Sequence, residues 1–106
     1  MGKKKTKETR MVERVMKEHF PNHPPEFPPV AYLHDSAFIH VRIVDKLFSK
    51  VPWYERLELV RPVIRTLPEK TQKKILLVAL VSPSEMDTSP TNYEFEHPNS
   101  LPRIMI

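Results

Sequence analysis

The first third of the chain changes from a helical pattern of apolar positions to a proline-rich segment. Over residues 9–20 the apolar side chains recur every three or four residues, which predicts an amphipathic helix. Thr9 is a suitable N-cap, and Pro21 ends the helix because proline cannot continue it. Residues 21–29, PNHPPEFPP, contain too many prolines for a helix or a central strand. We expect them to form an extended polyproline connector.

A period of two residues follows and predicts a β-hairpin. Residues 30–34 and 38–44 are rich in β-branched and aromatic side chains, and an Asp-Ser pair between them supplies the turn. In the second run the apolar residues alternate with His40 and Arg42. We therefore expect one face of the sheet to be buried and the other to present these two side chains to solvent.

From Pro52 the helical period returns, and an apolar run then predicts a third strand. Pro52 suits the first turn of a helix, whereas Pro62 lies in the interior, where we expect a kink or a split near Arg61. Residues 74–81 are apolar without alternation, which is typical of a buried strand. Residues 82–85, SPSE, carry a Ser cap, a proline and a glutamate three residues after the cap, which predicts a short helix.

The order of these elements, α-β-β-α-(α)-β-(α), predicts the α+β fold class. We expect a two-layer sandwich of a three-stranded sheet with helices mainly on one face. The predicted domain covers residues 9–86, between a basic flexible tail at residues 1–8 and a Pro-rich irregular tail at residues 87–106, whose final LPRIMI is apolar enough to dock. The predicted core contains Val41, Ile43, Phe48, Trp53, Leu57, Val60, Ile64, Leu77 and Ala79.

The composition argues against several classes of function. The chain has no cysteine, which rules out disulfides and thiolate metal sites and suits a reducing cytoplasm. No apolar run reaches the length of a membrane span, and a single glycine rules out a Gly-rich phosphate loop. Glu55 and Glu58 are one helical turn apart on a charged face, where carboxylates are solvated, and no nucleophile motif is present. We therefore do not predict an enzyme.

The block IHVRIVDKLFSKVPWYERLELV, residues 39–60, resembles the central motif of the BolA family. The family pattern has an apolar strand that ends in Phe, followed by a helix with Arg and Val, and these positions match Phe48, Arg56 and Val60. The closing strand of the family and its Thr-Pro-Glu-Glu turn are similar to residues 75–85. The resemblance implies a fold related to KH domains, in agreement with the predicted order, and a non-enzymatic regulatory protein.

The sequence departs from the family at the positions associated with an iron–sulfur cluster. The Gly-Lys-Ser turn of the family is Lys-Val-Pro at residues 50–52, and the histidine expected in the last strand is absent from residues 74–76. In the family that histidine and a Cys or His of the hairpin loop hold a [2Fe-2S] cluster jointly with a monothiol glutaredoxin. Here His34 is the candidate metal ligand near the hairpin turn. The resemblance thus gives an iron–sulfur role with a glutaredoxin as the alternative function; otherwise we expect no cofactor.

Basic and aromatic side chains supply the candidate contacts with a nucleic acid or a protein partner. Seventeen Lys and Arg against 13 Asp and Glu give a net charge of +4, to which the lysines at residues 3–5 contribute three. The rest of the chain is close to neutral, which is a weak electrostatic signal for nucleic acid. A basic strip is nevertheless predicted from His40, Arg42, Lys46, Lys50, Arg56, Arg61 and Arg65.

Within this strip the predicted contact residues are Arg42, Lys46, Lys50, Tyr54 and Arg56. Trp53 has two interpretations. It can stack on bases beside the strip, or it can pack inward with Leu57 and attach the helix to the sheet, which is what we expect. Tyr54 is the better candidate for an exposed contact.

Overall fold

The computed structural model of the chain describes residues 3–35 and 37–98. Its helices and strands are α1 (Lys7–His19), β1 (Val30–His34), β2 (Phe38–Val44), α2 (Arg56–Ile64), α3 (Glu69–Lys74), β3 (Ile75–Val81) and α4 (Pro90–Glu96). Short 3-10 helices occupy Lys46–Lys50, Trp53–Glu55 and Pro83–Glu85. This order confirms the predicted α+β fold with a three-stranded sheet, and each strand lies within one residue of its predicted bounds.

The sheet has the strand order β1-β2-β3. β1 and β2 form the predicted antiparallel hairpin, in which Val30 lies opposite Arg42. β2 and β3 are parallel, with Val41 opposite Val78, and their connection passes through α2 and α3 because parallel strands require a crossover. The register shifts near the start of the β2–β3 pairing, between Ile39 and His40. β1 and β3 are therefore the two edge strands of this sheet.

Apolar side chains fill both faces of the sheet. The larger cluster lies between the sheet and the helices α1 and α2, and its buried members are Val12, Met16, Phe20, Ala31, Ile39, Val41, Ile43, Phe48, Val60, Val63, Leu67 and Leu80. The smaller cluster lies on the opposite face under α4, and its buried members are Tyr32, Val44, Ala79, Val81 and Phe95. The central strand β2 therefore has helices on both of its faces.

The N-terminal segment differs from the predicted tail. Thr6 rather than Thr9 is the N-cap of α1: the Thr6 hydroxyl accepts from the Thr9 amide at 3.1 Å, and the Thr9 hydroxyl accepts from the Thr6 amide at 2.8 Å. This reciprocal pair of bonds starts the helix at Lys7. Before it, Lys4 exchanges two backbone hydrogen bonds with Leu33 on the outer edge of β1. The segment is thus held to the sheet from Lys4 onward.

The helix α4 lies in the segment that the sequence predicted to be irregular. The Ser89 hydroxyl accepts from the Asn92 amide at 3.1 Å as the N-cap, and Pro90 occupies the first helical position. Asn92 and Phe95 are one helical turn apart and both are buried against the sheet. The prediction of an irregular tail is therefore wrong for Pro90–Glu96, and the apolar LPRIMI end lies outside the described residues.

Helix α2 runs through Pro62 without the split that the sequence predicted near Arg61. Pro62 removes the amide that would bond the Glu58 carbonyl, but both residues are exposed, so water can satisfy that carbonyl. The break comes later, and α3 begins after Pro68. None of the helices within residues 3–35 and 37–98 is long and apolar enough to cross a membrane.

Candidate functional site

Arg42 lies beneath α4 and does not face solvent as the sequence predicted. It is 8% exposed, and one guanidinium nitrogen donates to Glu96 Oε2 at 3.0 Å and to Asn92 Oδ1 at 3.2 Å. The same guanidinium lies over the Phe95 ring at 4.9 Å. Burial lowers the pKa of Arg42, and the Glu96 carboxylate opposes that shift. Its role in the structure is to attach α4 to the sheet.

His40, the other residue predicted to be exposed on this face, is buried in a polar network. The Tyr32 hydroxyl donates to the Phe95 carbonyl at 2.6 Å and lies 3.1 Å from His40 Nδ1. Because the hydroxyl proton is directed to Phe95, His40 Nδ1–H is the donor in the second contact. Burial raises the pKa of Tyr32 to about 12, and burial followed by repulsion from His34 lowers the pKa of His40. Both rings are therefore neutral in the folded protein at pH 7.

Arg56 is also buried, although the sequence predicted it as a surface contact. It is 6% exposed, and its guanidinium donates to the Val51 carbonyl and to the Leu80 carbonyl, both at 2.9 Å. Two further bonds, at 2.6 and 2.8 Å, reach the two carboxylate oxygens of Glu85. These bonds are the main cause of the lowered pKa of Glu85, which is about 2. Arg56 thus connects the start of α2 to β3 and to the turn after it.

Of the five predicted contact residues, Lys46, Lys50 and Tyr54 are exposed. Trp53 is also exposed, by 78%, so the expectation that it packs inward is wrong, and Leu57 beside it is 39% exposed. The physical reason is local: Trp53 belongs to a 3-10 turn that precedes α2, so the helical period does not extend to it. The Trp53 and Tyr54 rings meet edge to face with centroids 5.6 Å apart. Trp53, Tyr54 and Leu57 together form what we call the aromatic surface.

A groove runs between α2 and the edge strand β3 next to the aromatic surface. Its volume is about 490 Å³, and its walls include Trp53, Leu57, Arg61, Ile64, Leu76 and Val78. We call it the β3 groove. A second depression of about 420 Å³ shares Trp53, Leu80 and Thr91 with this groove and is also lined by Glu85 and Pro90. The groove could not be predicted from the sequence because its two walls are separated along the chain. Leu76, which the apolar run placed in a buried strand, is 63% exposed and lines the groove.

His34, the candidate iron–sulfur ligand, does not fit a cluster shared with a partner. Its ring is 7% exposed, its Nε2 lies 3.2 Å from Asp35 Oδ2, and it packs on His40. Its Nδ1 is buried and has no hydrogen-bond partner among the described residues. The chain has no histidine or cysteine in β3 to act as a second ligand. In the described part of the chain, no group of three or more His, Cys, Asp or Glu is placed to hold a metal ion.

Comparison with protein-family models, with curated proteins and with solved structures finds no match to this chain. The resemblance to the BolA family therefore stays a prediction from the residues of the central block.

Proposed function

We propose that the chain is a divergent BolA-like protein without enzymatic activity, which acts in regulation in the cytoplasm by binding another protein through its aromatic surface. One observation supports this most strongly: Trp53 and Tyr54 are adjacent, and 78% and 66% exposed, beside an apolar groove. Tryptophan and tyrosine are enriched among the residues that contribute most to protein interfaces. Placing both in water costs solvation free energy that a partner recovers when it covers them.

The distribution of charge favours a protein over a nucleic acid as the partner. Three members of the predicted basic strip, His40, Arg42 and Arg56, are buried, and the two arginines are neutralised by carboxylates. A phosphate backbone needs a continuous row of exposed cations, and its affinity grows with each phosphate that is neutralised. Lys46, Lys50 and Arg65 remain exposed but belong to a chain that is close to neutral outside its N-terminal lysines. Nucleic-acid binding is therefore the less well supported form of this proposal.

The iron–sulfur alternative has less support still. It requires an accessible ligand that a glutaredoxin can share, whereas the His34 ring is buried against Asp35 and His40. Co-expression with a monothiol glutaredoxin followed by absorption spectroscopy tests it. We expect a colourless mixture; a cluster band that disappears in the His34→Ala variant would favour the alternative.

Site-specific photo-crosslinking tests the proposed function, because two tyrosines form a matched pair. Tyr54 and Tyr93 are both 66% exposed, but Tyr93 lies on α4, on the opposite side of the sheet. We replace each in turn by p-benzoylphenylalanine in cells that express the protein. We expect a discrete protein adduct from position 54, lost when Trp53→Ala is added, and none from position 93. Equal adducts at both positions, or an adduct with nucleic acid at position 54, would contradict the proposal.

A further inference from the structure

The two edges of the sheet differ in how their backbone hydrogen-bonding groups are satisfied. On the outer edge of β1, the Leu33 amide and carbonyl both bond to Lys4. The Ala31 amide donates to Glu13 Oε2 at 2.9 Å, and the Ala31 carbonyl accepts from Lys5 Nζ at 2.9 Å. The edge of β1 is therefore closed by the N-terminal segment and by α1.

In the part of the chain that the structure describes, the outer edge of β3 is open at Val78. The Val81 carbonyl faces β2, because it accepts from the Asp45 amide that follows β2. Since backbone groups alternate in direction along a strand, the amides and carbonyls of Leu80 and Val78 point outward, away from β2. The Arg56 bond to the Leu80 carbonyl agrees with this direction. Within residues 3–35 and 37–98 no hydrogen bond is formed to the outward amide and carbonyl of Val78. The strand sequence ILLVALV also lacks the charges and prolines that commonly protect an edge strand from pairing.

The side chains beside this open edge are apolar at one end of the groove and basic at the other. Trp53 lies at the end near Leu80 and Pro90. Arg65 lies at the end near Ile75, where Gln72 Nε2 donates to the Arg65 carbonyl at 3.3 Å. Arg65 is exposed and forms no ion pair with another described residue. Lys73, the exposed neighbour of Gln72 on α3, carries a further positive charge.

We propose that the β3 groove binds an extended peptide segment of a partner protein, which adds to β3 as a fourth strand and carries acidic residues toward Arg65. This inference rests on the proposed function, since it specifies how the partner is bound. A segment of about six residues spans roughly 20 Å, the length of β3 from Ile75 to Leu80. Its backbone would satisfy Val78, an apolar side chain would contact Trp53, and its carboxylates would meet the basic end. A nucleic acid offers acidic groups but no strand backbone to pair with Val78.

Synthetic peptides test this mode of binding. The probe is a capped seven-residue peptide in which Val and Thr alternate and one end carries two Asp residues, made with the Asp pair at either end. Trp53 is the only tryptophan of the chain, so its fluorescence reports binding in the groove. We expect saturable binding of at least one of the two peptides. Methylating alternate backbone nitrogens that face β3 should weaken that binding by about tenfold or more, since it removes the strand pairing.

Charge exchange tests the basic end of the groove. Arg65→Glu should weaken the Asp peptide about tenfold and improve binding of the same peptide made with Lys. Lys17→Glu is the matched control, because Lys17 is exposed on α1 and does not line the groove, and it should leave both affinities unchanged. Val78→Pro removes an amide that points outward and forms no bond to β2, so the sheet itself loses no hydrogen bond. This variant should abolish binding of the peptide. Circular dichroism verifies the fold of each variant, and the methylated peptides test the pairing on the unmodified protein.

The outcomes separate this inference from the proposed function. If methylated and unmethylated peptides bind equally, strand addition is wrong even if position 54 crosslinks to a partner. If neither peptide binds although a position-54 adduct forms, the inference fails and the proposed function stands. A single-stranded oligonucleotide that quenches Trp53 at physiological salt, when neither peptide does, would overturn both.

Discussion

Replacing Arg56 by Met removes a buried guanidinium and keeps an unbranched side chain of similar length. The change breaks the hydrogen bonds to the Val51 and Leu80 carbonyls and the two bonds to Glu85. Breaking one side of a buried ion pair typically costs about 3–5 kcal/mol, because the remaining charge is left unpaired. The Glu85 side chain is 35% exposed, so water can solvate its carboxylate after the substitution. We therefore expect the low end, a loss of about 3 kcal/mol in the free energy of unfolding.

Urea unfolding at pH 7, followed by circular dichroism, measures this loss. Arg56→Lys should lie between wild type and Arg56→Met, since an ammonium group cannot bond both carboxylate oxygens and the two carbonyls together. Arg65→Met is the control for an exposed arginine and should change stability by no more than about 0.5 kcal/mol. A loss below about 1 kcal/mol for Arg56→Met, or equal losses for both arginines, would show that the buried bonds of Arg56 do not stabilise the fold as expected.

The same variant has a predicted pH dependence. The pKa of Glu85 is lowered from 4.5 to about 2 in the folded protein, so on acidification the unfolded chain binds this proton first. The contribution of Glu85 is present above pH 4.5 and is lost as the pH falls toward about 2. In Arg56→Met the main cause of the lowered pKa is absent. The decline of stability through this window should therefore be shallower in the variant than in the wild type.

Two further predictions concern residues whose burial differs from what the sequence predicted. Trp53→Ala should change the free energy of unfolding by less than about 1 kcal/mol, because the indole is 78% exposed. Phe48→Ala, in the core, should cost about 3–5 kcal/mol when both variants are measured by urea unfolding. A comparable loss for both variants would show that Trp53 packs inward. The pKa of His40 is lowered from 6.5, so the unfolded chain takes up this proton first and the wild type should lose stability as the pH falls below 6.5. His40→Gln should flatten that slope in unfolding curves measured between pH 7 and pH 5, and an unchanged slope would contradict the assignment.

The strands and the order of elements could be predicted from the sequence because their signals are local. The alternation around Val41 and Ile43 predicts a strand with one apolar face. The apolar run at residues 75–81 has the length of a strand and is too short for a helix. The proline and glutamate that follow Ser82 specify a capped turn, which the structure contains. These features depend on neighbours within a few residues, so a single sequence is sufficient to find them.

The candidate site was harder to predict because it depends on contacts between distant parts of the chain. Arg42 looked like a solvent residue because its partners, Asn92 and Glu96, lie 50 and 54 residues further along the chain. Those partners belong to α4, whose Pro90, Asn92 and preceding Ser89 are typical of an irregular segment. Arg56 was misplaced for the same reason, since Glu85 is 29 residues away. A periodic pattern detects that a position is polar but not whether a partner covers it.

Amide hydrogen exchange on the crosslinked complex tests directly whether a partner binds at the aromatic surface and the β3 groove. The complex formed through position 54 is compared with the protein alone, and exchange is measured for the outward amides of Val78 and Leu80. Tyr93 on the opposite side of the sheet serves as the internal reference. We expect exchange of Val78 and Leu80 to slow in the complex while exchange of the Tyr93 amide is unchanged. Slowed exchange at Tyr93 with no change in β3 would contradict binding at the groove.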